Sequence, residues 1–237
     1  AKGIIPNPDA LHICYCNTPM RYAWEKRADY VKNTGKVKRK LIGILTHYMR
    51  IWDVTSSSRV DYFIANSTAV QKRIKKYYRR DSIVINPAVR CKLFNISDID
   101  KDYYLVVSRL VTYKRIDLAV QVCKELNKEL IIIGDGPEKE NLQKIARDNE
   151  NIKFLGRLDD NQVRKYMAEC KALLFPGTED FGITPVEAMA CGRPVIAFKR
   201  GGTLDTVIDE KTGEFFEKQT ADDMKNAILK SEKITFN

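Results

Sequence analysis

Glu179 and Glu187 bracket the stretch Asp180-Phe181-Gly182-Ile183-Thr184-Pro185-Val186, which reads as a turn running into a helix. Thr184 has the chemistry of an N-cap, Pro185 suits the first helical position, and Glu187 at the third can close a capping box back onto Thr184. A helix start carries unpaired N–H groups and a partial positive charge, so it can seat a phosphate or another anion. Gly182 has no side chain to keep a phosphate from the N–H groups of Ile183 and Thr184. Arg109 and Lys114 add two cations, enough to balance most of a diphosphate. Glu179, upstream of the helix, is available to accept hydrogen bonds from hydroxyls. A carboxylate beside a diphosphate repels it unless a neutral polyol lies between them. The combination therefore points to a ligand with hydroxyl-rich groups at both ends of a diphosphate, a nucleotide sugar. For Glu187, a purely structural role in the capping box competes with ligand contact, and the two are compatible.

Such a site needs a scaffold that brings distant stretches to one edge, and the pattern from Tyr103 onward supplies it. Apolar runs at 103–107, 130–133, 152–155, 173–175 and 195–198 alternate with helical segments near 115–127, 137–148, 160–169, 184–191 and 203–208. Glu214-Phe215-Phe216 adds a short strand before a last helix from about Ala221. This alternation predicts an α/β fold, a Rossmann-like doubly wound parallel sheet with ligands at the carboxyl ends of its strands. The turns after those strands are Ser108-Arg109, Gly134-Asp135-Gly136-Pro137, Gly156-Arg157-Leu158 and Gly177-Thr178-Glu179. Gly134 and Leu158 are thus expected on the same edge as Arg109 and Glu179.

The first 97 residues are less regular. A strand over Leu11–Tyr15 would put His12, Cys14 and Cys16 on one face, which invites a metal reading, but no fourth ligand is apparent and no metal is expected. A loop carrying Asn17 and Arg21 leads into a helical region, with Arg21 either a surface charge or an anion contact beside the strand end. A helix over 36–52 is expected to bury a face made of Leu41, Ile44, Leu45, Tyr48, Ile51 and Trp52. Its Lys36-Val37-Lys38-Arg39-Lys40 start suits an anionic membrane or acceptor as well as plain solvent. Strands at 62–65 and 83–85 flank a helix from Ser67 or Thr68 to about Tyr78, where Thr68 and Gln71 can form a capping box, and 86–101 reads as a linker.

Charge is distributed accordingly. Of the net +10, residues 1–97 hold 19 Lys/Arg against 6 Asp/Glu, whereas 98–237 hold 22 against 25. The basic portion attracts polyanions, so an anionic membrane surface is admissible; nucleic acid is not expected, because no motif for it accompanies the charge. A merely solvated basic surface is the plain alternative. Six cysteines without a Cys-x-x-Cys pair fit reduced thiols in a cytoplasmic protein, with a peripheral position on the inner face of a membrane admissible. No apolar run approaches the roughly 18 to 20 residues that span a bilayer.

Glu179 to Glu187 resembles the Glu-x7-Glu motif of retaining glycosyltransferases with the GT-B fold, family 4, and Ser108-Arg109-Leu110 with Lys114 is similar to that family's phosphate-binding pair. Tyr15 to Trp24 and Ala65-Asn66-Ser67 further resemble a mannosyltransferase-like subgroup. The resemblance implies that Arg109 and Lys114 hold the diphosphate, Glu187 the ribose hydroxyls and Glu179 the transferred sugar, with Leu158 and the Gly134 turn against the base. It implies transfer of a hexose, first mannose from GDP-mannose and next a UDP-sugar, to a lipid-linked or polysaccharide acceptor approached beside Asn17 and Arg21. No cofactor or metal is expected, since Arg, Lys and a helix terminus supply the charge. Asp98-Ile99-Asp100 spells the Asp-x-Asp of metal-dependent glycosyltransferases of the other common fold, but it sits in the linker.

Two departures shape the expectation. Asn17 stands where relatives often carry histidine, and Asn is neither a base nor a protonated donor, so an inactive nucleotide-sugar-binding module with a basic membrane- or partner-binding portion is the alternative. A nicotinamide-dependent dehydrogenase is disfavoured because no Gly-x-Gly-x-x-Gly follows a strand. Residues 1–97 are expected to be a partial acceptor-side domain and 98–237 a complete donor-binding domain. The short first portion, and the absence of a last helix returning to it, predict a fragment or a truncated product.

Overall fold

Strands that are apolar at every position need cover on both faces, while strands that alternate need it on one. This chain holds both kinds, in separate units. The computed structural model describes residues 2–25, 34–147 and 149–236. The chain divides into two compact units, Ala1–Pro87 and Ala88–Asn237.

In the first unit, Ile13–Cys16 (β1), Tyr62–Ala65 (β2) and Ser82–Val84 (β3) form a parallel sheet in that order, with helices Lys36–Ser57 (α1) and Thr68–Tyr78 (α2) between them in sequence. Cys14, Cys16, Phe63 and Ala65 pack with Val70, Ile74 and Tyr78 of α2, while the alternate residues Ile13, Tyr15 and Tyr62 are exposed. Ser67 caps α2 through the N–H of Val70, and Gln71 donates to the Ser82 carbonyl instead of closing a box with Thr68. The His12 ring is engaged by the Arg59 carbonyl. The helical region expected after Glu25 falls largely outside the described residues.

Helix α1 contradicts its expected orientation. Leu41, Ile44, Leu45, Tyr48, Ile51 and Trp52 are 50% to 66% exposed, and the residues it buries are Thr46, Asp53, Ser56 and Ser57. The cause is polar. Asp53 is fully buried, with Lys2 Nζ 2.6 Å from one carboxylate oxygen and the Trp24 Nε1 and Tyr78 hydroxyl donating to the other at 2.8 and 2.9 Å. A buried charge with these partners decides which side of the helix faces inward.

In the second unit, Tyr103–Val107 (β4), Glu129–Ile133 (β5), Ile152–Gly156 (β6), Ala172–Phe175 (β7), Val195–Phe198 (β8) and Gly213–Phe216 (β9) form one parallel sheet in the order β6-β5-β4-β7-β8-β9. Helices Ile116–Glu125 (α3), Lys139–Ala146 (α4), Asp160–Glu169 (α5), Ile183–Ala190 (α6), Thr203–Thr206 (α7) and Ala221–Ser231 (α8) connect and cover it. Tyr104, Val106, Ile132 and Leu174 pack with residues of α3, α4 and α8; Leu105, Ile133, Leu173 and Phe175 pack with residues of α5 and α6. The doubly wound expectation holds. The winding direction reverses between β4 and β7, and open α/β sheets take ligands in the crevice at such a reversal.

The stretch before β4 belongs to this second unit, so the division falls after Pro87 rather than after residue 97. Arg193 fastens it, donating to the carbonyls of Ser97 and Ile99 at 3.0 and 2.7 Å and standing 3.2 Å from the Asp100 carboxylate. Asp100 is therefore committed to an ion pair that anchors the lead into the sheet.

Candidate functional site

Loops 108–115 and 176–182 leave β4 and β7 on either side of the reversal. In the first, Lys114 and Arg115 N–H groups donate to Val111 and Thr112 carbonyls, closing a tight turn over Thr112–Lys114. Gly177 lies directly against it, since a Cβ there would sit 2.9 Å from the Lys114 Cα. This backbone approach brings Lys114 Nζ to 2.5 Å from Glu179 Oε1, with side chains only 18% and 19% exposed. The ammonium also lies 5.8 Å from the Phe175 ring centre and 5.9 Å from that of Tyr113, within cation–π range.

Glu179 is held from the far side by Gly201 and Gly202. Gly201 pairs with it in a parallel bridge, and the Gly202 N–H donates to its carbonyl at 3.0 Å. A Cβ on Gly202 would come 2.2 Å from the Phe181 Cα, and Gly201 has φ +83 with the Glu179 carbonyl in the way of any side chain. Sequence reasoning missed this pair; adjacent glycines shortly after the 195–198 apolar run were the available signal.

Helix α6 begins earlier than its local signals direct. Gly182, left-handed at φ 88, is the N-cap, so Ile183 and Thr184 occupy the first two helical positions and Pro185 the third, with no side-chain cap. The buried Phe181, pressed against Gly202, fixes the chain before the Thr-Pro signal can act. The expected capping box between Thr184 and Glu187 is therefore absent. The N–H groups of Ile183 and Thr184 have no intrahelical partner. Glu187 makes no side-chain hydrogen bond among the described residues. Burial and the charge of Asp160 push its carboxyl above the usual range, against the opposing pull of Arg164.

The neighbouring turns stack along the same edge. Gly134, at φ +134, leaves 1.8 Å between an added Cβ and the Ser108 carbonyl, and its N–H donates to Gly156 at 2.7 Å. Leu158 is half-buried against the core beneath. Arg109 is exposed and has no side-chain partner among the described residues. The structure thus joins Lys114 to Glu179 and the Gly134 turn to the turn bearing Arg109. Asn17 and Arg21 lie just past β1 in the other unit, Asn17 exposed and Arg21 half-buried.

The profile of the family described as Glycosyl transferases group 1 matches residues 92–234. The chain belongs to that family. It is 29% identical, over 73% of its length and 50% of the relative's, to an uncharacterised glycosyltransferase of Methanocaldococcus jannaschii. It is 30% identical to the GDP-mannose-dependent alpha-(1-6)-phosphatidylinositol monomannoside mannosyltransferase of Mycolicibacterium smegmatis, over 54% of this chain and 38% of that enzyme. The chain therefore spans half the length, or less, of these curated relatives. Among solved structures, Anabaena HepE with UDP and glucose superposes with a TM-score of 0.68 at 23% identity, covering 78% of this chain and 57% of that one. Sucrose-phosphate synthase from Thermosynechococcus elongatus gives 0.74 at 22%, covering 94% and 58%. The parallel α/β fold is that of GT-B glycosyltransferases.

Proposed function

We propose that this chain transfers a hexose, mannose as first choice, from a nucleotide sugar to a lipid-linked or saccharide acceptor with retention of configuration. The observation that carries the proposal is the meeting of Lys114 and Glu179 beside an uncapped helix start at the sheet reversal. Arg109, Lys114 and the N–H groups of Ile183 and Thr184 are cast as partners of the diphosphate. Glu187 accepts from ribose hydroxyls, Gly134 and Leu158 border the base, and Glu179 accepts from the sugar. Mannose is supported by the mannosyltransferases among the relatives, and a nucleotide donor by the UDP bound to HepE. The base, GDP or UDP, is the point on which these two lines differ.

As the bond between the anomeric carbon and the diphosphate oxygen breaks, negative charge builds on the diphosphate, where the two cations and the helix start stabilise it. The departing phosphate oxygen accepts the proton of the acceptor hydroxyl, whose oxygen attacks from the same face, so configuration is retained. No metal or cofactor enters the scheme. The basic first unit is assigned to an anionic membrane surface, which suits a lipid-linked acceptor. Calorimetric titration with a panel of GDP- and UDP-sugars, followed by transfer assays, tests the proposal. Lys114→Ala is expected to lower transfer by several orders of magnitude with folding intact, and near-normal transfer would overturn the assignment. Saturable donor binding with neither hydrolysis nor transfer would instead favour the inactive binding module, for which Asn17, neither a base nor a protonated donor, speaks.

A further inference from the structure

Resting on the donor-site reading above, we infer that the Lys114–Glu179 ion pair is an exchange device that favours the intact nucleotide sugar over the nucleoside diphosphate left after transfer. Each group is the other's partner at 2.5 Å. The contacting oxygen of Glu179 is shielded from water and, among the described residues, has Lys114 as its polar neighbour. Both backbones are packed in place: Gly177 lies against Lys114, and Gly201 and Gly202 hold Glu179 through a bridge and a hydrogen bond.

A diphosphate that takes Lys114 therefore strips Glu179 of its cation and sets a second anion beside a shielded carboxylate, both unfavourable. Hydroxyls of an attached sugar remove the first penalty by donating to the carboxylate. An intact nucleotide sugar satisfies both members of the pair; a nucleoside diphosphate satisfies only Lys114. Once the sugar has left, Glu179 competes for Lys114 and drives the product out. Glu179 thus acts in product release as well as in sugar binding.

Calorimetry on the whole chain with UDP, GDP and the sugar nucleotide it prefers tests this. Glu179→Gln should tighten the nucleoside diphosphate by about tenfold or more while weakening the sugar nucleotide, opposite signs that a merely structural role would not produce. In a Lys114→Gln background, the same substitution should lose the part of its gain that comes from competition for Lys114, because the ammonium that Glu179 and the diphosphate both claim is gone and only the relief of charge repulsion is left. Thermal unfolding of each variant monitors folding. Unchanged or weaker diphosphate binding by Glu179→Gln, or an undiminished gain in the Lys114→Gln background, would overturn the exchange while leaving the donor site standing. If the unchanged chain binds neither nucleotide nor nucleotide sugar, the donor-site reading falls and the exchange with it.

Discussion

Glu187 is a half-buried carboxylate without a hydrogen-bond partner among the described residues, in surroundings that disfavour its charge. Burial is the leading cause and Asp160 adds to it. Because the folded-state pKa is raised, its favourable contribution to stability is complete below the unfolded value, about 4.3, and is lost as pH rises through the folded value. At neutral pH the ionised group is thus a cost that folding bears. Glu187→Gln should raise the thermal midpoint at pH 7, with the gain shrinking toward pH 4, and should weaken nucleotide binding by roughly tenfold if the carboxylate accepts ribose hydroxyls. A lower midpoint at pH 7 would refute this account. The residue types at this site were legible from the sequence, and so was the sheet edge on which they fall; the direct meeting of Lys114 with Glu179 was not. Nor was the freedom of Glu187 legible. Thr184-Pro185 is a strong local start signal, but Phe181 packed on Gly202, a contact made across sequence, starts the helix sooner.

At the scale of elements, the site depends on glycine-mediated approaches between loops. Gly177→Ala would force a Cβ to 2.9 Å from the Lys114 Cα, displacing backbone rather than a pliable side chain. Overpacking of this kind costs about 1 to 3 kcal/mol, and because the turn carrying Lys114 must yield, donor affinity should fall with it. Gly35→Ala is the control: among the described residues nothing lies within 4 Å of its added Cβ and its φ of −60 suits alanine, so its cost is limited to the lost N-cap preference for glycine. Matched thermal unfolding and donor titration of the two variants check the pair; equal behaviour would show that the close approach does not matter. The strands of the second unit were read almost to the residue because the inner ones, β4, β7 and β8, are unbroken apolar runs closed by glycine or polar turns and buried on both faces, and the edge strands β6 and β9, with Lys153 and Glu214, follow in the same rhythm. The periodic face of α1 was found correctly as apolar but wrongly as buried. Periodicity reports that a face exists, whereas the buried Asp53, Lys2, Trp24 and Tyr78 contacts, distant in sequence, decide where it points.

For the whole molecule, the orientation of α1 couples the uneven charge to a surface. Its first turn exposes Lys36, Lys38, Arg39 and Lys40, and Lys36, Arg39, Lys40, Ile44 and Tyr48 line one groove. No helix among the described residues is long and apolar enough to cross a membrane. An exposed apolar face rimmed by cations instead matches a helix that lies in the interface of an anionic bilayer, where each basic residue near the surface contributes about 1 kcal/mol. The chain is expected to float with vesicles containing phosphatidylserine or phosphatidylglycerol and not with pure phosphatidylcholine, and to be released as salt is raised. Combining Ile44→Glu with Tyr48→Ser should weaken this binding by at least about tenfold through lost apolar burial. Both side chains are exposed and far in sequence from the donor-side residues, so nucleotide binding should be unaffected. Equal partition onto neutral and anionic vesicles, or binding insensitive to salt, would remove the membrane from the account and leave the basic portion to an anionic acceptor or to solvent.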